Sequence, residues 1–134
     1  MNGDASYSNL GGEVTGKADV DGDGVDDILV GAPYADTNGT NSGTLKVISG
    51  ASLIEIFELV GDSQQDRFGS EIVDLGDLDG DGYDEFAVRS DGDDNNGIDS
   101  GSVKIISLGR DWDNDGVPTL NDNAPLVNGI LVLQ

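Results

Sequence analysis

The chain of 134 residues contains no cysteine and no histidine, and only six lysines and arginines stand against 27 aspartates and glutamates. Without cysteine there is no disulfide and no thiolate nucleophile. Without histidine the commonest general base and transition-metal ligand is missing. The formal net charge of −21 opposes binding to nucleic acid or to an anionic bilayer. No apolar run approaches the ~20 residues of a membrane-spanning helix, so direct membrane insertion is not expected. The opening residues, MNGDASYSNLGG, have neither the basic nor the apolar region of a signal peptide. Lys17, Lys46 and Lys104 lie in or beside expected strands and belong to no nucleophile motif. The sequence predicts a protein that is not an enzyme.

Glycine is abundant instead, at 21 positions. A helical bundle is disfavoured, because each interior glycine costs a helix about 1 kcal/mol relative to alanine. The length allows one domain or a piece of a larger one. Its main organising feature is a repeat. GGEVTGKADVDGDGVDDILVGAP (11–33) aligns without a gap with GSEIVDLGDLDGDGYDEFAVRSD (69–91), and SGTLKVIS (42–49) aligns at the same offset with SGSVKIIS (100–107).

Each copy reads as β-structure. Glu13–Lys17 and Ser70–Leu75 are expected strands entering an Asp/Gly loop, Asp27–Gly31 and Glu85–Arg89 leave it, and Gly43–Ser49 and Gly101–Ser107 follow polar loops. Leu53–Val60, with β-branched Ile54 and Ile56, is expected as a fourth strand. The fold class is therefore all-β, with two four-stranded antiparallel sheets that must stack to bury their faces. Residues 1–10 are expected as a leader or linker, 11–68 as the first unit, 69–108 as a second, incomplete unit, and 109–134 as a different tail. After Ser107 the repeat fails and the composition shifts.

The Asp/Gly loops carry the chemistry. Counting from Asp19, carboxylates fall at positions 1, 3, 5 and 9 (Asp19, Asp21, Asp23, Asp27), with Gly24 at 6 and Val25 at 7. The second loop repeats this with Asp77, Asp79, Asp81, Gly82, Tyr83 and Glu85. Alternate carboxylates on a curled backbone converge, the glycine permits the turn, and the main-chain carbonyl at position 7 adds a neutral oxygen. An all-oxygen set of this size suits Ca²⁺ better than octahedral Mg²⁺, and zinc is disfavoured. An EF-hand would need Glu at position 12 followed by a helix, but position 12 is Val30 or Val88 within an apolar β-like run. A third loop has Asp111, Asp113, Asp115, Gly116 and Val117 at positions 1, 3, 5, 6 and 7, Thr119 at 9, and its closing carboxylate, Asp122, at 12. It is expected to be a third and weaker calcium site. Asp-Gly turns and solubilising acidity are the plainer explanations. However, the three loops hold fourteen of the 27 acidic residues, and like charges crowded on one turn repel unless a cation lies among them.

Phe68-Gly69, the acidic loop and Gly31-Ala32-Pro33 together resemble the FG-GAP repeat of integrin α-subunit β-propellers and their bacterial relatives, over about residues 10–108. The first copy has Leu10-Gly11 in place of Phe-Gly, and the second has Arg89-Ser90-Asp91 in place of Gly-Ala-Pro. Residues 111–125 resemble a thrombospondin type 3 calcium repeat that lacks its usual cysteine near Ala124. The first resemblance implies two blades of a seven-bladed propeller, completed by further blades of a parent chain. It also implies an extracellular or cell-surface setting, and adhesion or binding to a protein or matrix-type ligand. Contacting loops would lie on the rim opposite the metal, at Tyr34–Ser42 and Asp91–Ser100, although their composition fits inert solvated turns better. An alternative that the same resemblance allows is a non-catalytic accessory propeller of a secreted hydrolase.

Overall fold

Alternating apolar residues, broken at regular intervals by Asp/Gly and Asn/Gly/Ser turns, leave the chain little choice but to run back and forth as short strands. The computed structural model describes residues 7–108, and seven strands and no helix occur among them. Strands β1 (Glu13–Ala18), β2 (Asp27–Ala32), β3 (Thr44–Ile48) and β4 (Glu55–Val60) form one antiparallel meander in chain order. Strands β5 (Phe68–Gly76), β6 (Glu85–Ser90) and β7 (Ser102–Ile106) form a second.

The two copies share one register. Glu13 pairs with Gly31 and Thr15 with Leu29 in the first sheet, as Glu71 pairs with Arg89 and Val73 with Ala87 in the second. Both sheets break register just before the acidic loop, between Thr15 and Ala18 and between Asp74 and Gly76. Such an irregularity ends strand pairing and re-aims the chain. It delivers the acidic loops from equivalent points.

Of the second unit, read from the sequence as incomplete, three strands lie among the described residues. The positions matching Leu53–Val60 read DWDNDGVP (111–118), which lacks the alternating apolar residues that hold β4 against β3, and they lie outside the described residues. The first unit's fourth strand is present but starts later than expected, at Glu55, because Leu53 and Ile54 stay exposed. Conversely, β5 begins two residues early, at Phe68. The chain before β1 also packs on the first sheet: Ser8 is buried, its carbonyl accepts the Tyr34 N–H, and the Gly11 N–H donates to the Gly31 carbonyl.

Neither sheet buries its inner face alone. Leu29, Leu45 and Val47 of the first share one apolar cluster with Phe68, Phe86 and Ile106 of the second, all at most 2% exposed. β5 is the strand that packs on β1, β2 and β3. The Phe68 N–H donates across to the Ser42 carbonyl at 3.0 Å. Lys104 reaches the same seam, ion-paired with Asp62 and 5.4 Å from the centre of the Phe68 ring. The sheets are therefore stacked as successive propeller blades are.

Their separation is set at Gly31. A Cβ added there would collide with the carbonyl oxygen of Gly69 in the neighbouring sheet. The glycine of Gly31-Ala32-Pro33 and that of Phe68-Gly69 are thus the two sides of one close backbone contact. Gly31→Ala should cost about 1–3 kcal/mol, the usual range for overpacking, measured by denaturant unfolding. A loss well below this would show that the sheets are free to move apart.

Candidate metal centre

The first acidic loop joins β1 to β2 and the second joins β5 to β6, at the same end of their sheets. Gly24 and Gly82 at position 6 have φ of +87° and +91°, a conformation open to glycine and costly for other residues. Around them the carboxylates bend the chain by accepting N–H groups from their own loop. Asp19 accepts from Asp23 (3.1 Å) and Gly24 (2.8 Å), Asp21 from Asp23 (3.1 Å), and Asp23 from Val25 (2.8 Å). In the second loop Asp77 accepts from Gly80 (2.7 Å), Asp81 (3.1 Å) and Gly82 (3.0 Å). Asp79 accepts from Asp81 (3.3 Å) and Asp81 from Tyr83 (3.0 Å).

The curled loops bring carboxylate oxygens of Asp19, Asp21 and Asp27 within 4.8 Å of one another, and likewise those of Asp77, Asp79 and Glu85. Oxygens bound to one Ca²⁺ at about 2.3–2.6 Å can be no more than about 5 Å apart. Both triads meet this condition. Asp23 and Asp81 lie outside the triads, each with one oxygen engaged by the N–H two residues on. Val25 and Tyr83 follow directly at position 7. The third loop, Asp111, Asp113, Asp115, Val117 and Asp122, lies outside the described residues.

The position-9 carboxylates differ instructively. Asp27 is fully buried; its Oδ2 accepts from Val20 (3.0 Å) and Asp21 (3.3 Å), and its Oδ1 accepts from Gly50 in the β3–β4 turn (2.9 Å). A carboxylate offers about four lone-pair sites, so one remains open. Glu85 is 4% exposed; its Oε2 accepts from Leu78 (2.8 Å), the counterpart of Val20, but its buried Oε1 has no hydrogen-bond donor among the described residues. Leaving a buried acceptor unmatched costs about 1–3 kcal/mol, and more if it is charged. The all-oxygen donor set and this orphaned oxygen both fit a hard cation.

Electrostatics agree. Each loop carries five acidic side chains and no basic one between positions 1 and 9. Burial, reinforced by the neighbouring Asp27 carboxylate, pushes Asp21 above its ordinary value. Burial also raises Asp27, against the pull of its three N–H donors. Asp81 is raised by burial and then by Asp79 and Asp77, with the Tyr83 N–H opposing. In the cation-free fold these groups hold protons more readily than in the unfolded chain. Their contribution to stability is therefore full below the ordinary aspartate range and is lost as pH rises through the elevated values.

Residues the sequence reading did not single out complete the arrangement. Gly50 anchors Asp27. Asp84, at position 8, accepts the Asp19 N–H at 2.9 Å and donates its own N–H to the Asp19 carbonyl at 2.8 Å. An aspartate at position 8 of both copies (Asp26, Asp84) was the available signal. At the opposite end, the Asp91–Ser100 loop turns around Asp93, whose carboxyl is buried yet held below its ordinary value by hydrogen bonds from Ser102 and Asn95 and by Lys104.

Thermal unfolding in EGTA and in excess calcium, between about pH 4 and pH 7, tests the electrostatics. The gap between the two midpoints should widen as pH rises through the elevated range of Asp21, Asp27 and Asp81. Parallel curves would contradict it.

Comparison with known proteins bears out the FG-GAP resemblance read from the sequence. Residues 11–48 match the FG-GAP repeat family. Over 77 residues (54% of the chain) the sequence is 42% identical to integrin alpha-4 of Xenopus laevis, over 94 residues (60%) 35% identical to integrin alpha-PS2 of Drosophila melanogaster, and over 111 residues (79%) 36% identical to human integrin alpha-11. The matched parts are 8%, 7% and 9% of those proteins, so the chain spans less than a tenth of the relatives it matches. With its repeated register, stacked sheets and strand-joining acidic loops, the chain is an integrin-alpha-like FG-GAP repeat protein.

Proposed function

We propose that the chain is a calcium-binding structural and interaction module, two neighbouring blades of an extracellular or cell-surface propeller that serves adhesion by binding a protein or matrix-type ligand. The remaining blades belong to the parent protein. The observation that carries the metal reading is Glu85: a buried carboxylate oxygen without a donor among the described residues, on a side chain that closes a triad of convergent carboxylates. Asp19, Asp21, Asp23, the Val25 carbonyl and Asp27 would hold one ion. Asp77, Asp79, Asp81, the Tyr83 carbonyl and Glu85 would hold another. The loop of Asp111, Asp113, Asp115, Val117 and Asp122 would add a third, in a segment similar to a thrombospondin type 3 repeat.

Calcium supplies charge neutralisation here and no bond-making chemistry. It offsets repulsion within each loop and fixes the angle at which β1 turns into β2 and β5 into β6. Outside cells free calcium is plentiful, and extracellular modules work with sites of about 10⁻⁴–10⁻³ M. The adhesive role is supported by the likeness to integrin alpha chains, and the absence of histidine and cysteine favours a module without catalytic activity.

Calorimetric titration of the chelator-treated protein should show calcium-dependent heat at more than one site. Asp21→Ala combined with Asp79→Ala should remove the contributions of the first two loops. No calcium-dependent heat, or an unchanged isotherm in the double variant, would refute the assignment.

A further inference from the structure

The two acidic loops belong to different sheets but touch directly, through residues 83 and 84 of the second loop and Asp19 and Gly22 of the first. Residue 84 clasps Asp19 in both directions: its carboxylate takes the Asp19 N–H and its N–H reaches the Asp19 carbonyl. One residue earlier in the chain, the Tyr83 ring lies against Gly22, where an added Cβ would stand 2.8 Å from the ring's Cε1. Residues 83 and 84 immediately precede Glu85, the closing carboxylate of the second loop. Asp19 opens the first loop, and its side chain holds the Asp23 and Gly24 N–H groups. Whatever orders residues 83–85 therefore also orders the backbone from which the first loop starts.

We infer that the two loops bind cations with positive coupling, transmitted by the Asp84–Asp19 clasp and the packing of Tyr83 on Gly22. This rests on the reading of both loops as cation sites. The physical reason is shared ordering entropy. A loop of repelling carboxylates must be fixed before it can chelate, and an ion in the second loop holds Asp84 in the position that fixes Asp19. A merely electrostatic link would have the opposite sign, because two divalent ions in adjacent loops repel each other. Positive coupling would make neighbouring blades lock together over a narrow range of calcium concentration.

The test is a calcium titration of the ¹⁵N-labelled 134-residue chain by NMR. Gly24 and Gly82 serve as separate reporters, since each donates its N–H to the first carboxylate of its own loop. In the wild type, disabling the second loop with Asp79→Ala should weaken binding reported by Gly24 by about fivefold or more, the lower end of usual coupling strengths. In an Asp84→Ala background the same disabling change should alter Gly24 binding less than about twofold, whereas Asp84→Asn, which retains an acceptor oxygen, should keep the coupling. If Asp84→Ala does not fold, Tyr83→Ala takes its place, since it removes the ring and retains the carbonyl. An Asp79→Ala effect of the same size with and without the clasp, or tighter binding at Gly24 when the second loop is disabled, would overturn the inference. Absence of any response at Gly24 and Gly82 would instead overturn the cation reading itself.

Discussion

Everything at the loop end of these sheets follows from crowding carboxylates onto a single turn. Five acids within nine residues would drive an ordinary loop open, yet here three of them converge until their oxygens lie within 4.8 Å. Backbone N–H groups offset part of the repulsion, and in the first loop they also satisfy the buried Asp27. In the second loop they do not suffice, because Glu85 keeps a buried oxygen unmatched among the described residues. Under the proposed reading a divalent cation supplies the missing positive charge; Asp21, Asp27 and Asp81 are raised first by burial, with neighbouring carboxylates adding to it.

The rest of the molecule serves to hold these turns in fixed relation. A small β-meander cannot bury both faces, so the two sheets share a core built on Leu29, Val47, Phe68 and Phe86. The close approach of Gly31 to Gly69 sets their spacing, and Lys104 with Asp62 occupies the polar margin of the same seam. Because the acidic loops lie at one end of this shared stack, order at one loop is mechanically available to the other. The polar loops at the opposite end are tied internally, by Asp93 in one sheet and by the Asn38 amide to the Gly61 carbonyl in the other.

The strand plan could be read from the sequence because it rests on local pattern: alternation gives the strands, and Asp/Gly clusters give the turns. The self-similarity of 11–49 and 69–107 even carries the register, which the structure repeats pair for pair. The convergence of the carboxylates at positions 1, 3 and 9 was legible for the same reason, since they are spaced within one turn, whereas position 5 lies outside both triads. What escaped was non-local. Gly50 reaches Asp27 across 23 residues and Asp84 reaches Asp19 across 65, and no periodicity of one segment encodes a meeting of two. The early start of β5 at Phe68 was hidden for a related reason: that residue pairs with Ser90 across its own sheet and donates to Ser42 in the β2–β3 loop of the other unit.

The most direct measurement is a crystal structure of the chain grown in millimolar calcium. The account predicts a density peak at the centre of each loop with oxygens of Asp19, Asp21 and Asp27, and of Asp77, Asp79 and Glu85, at about 2.3–2.6 Å. It also predicts that Glu85 Oε1, unmatched among the described residues, is among the contacts. Loops containing only water at hydrogen-bond distances of about 2.7–3.0 Å, with the carboxylates turned away from one another, would contradict it.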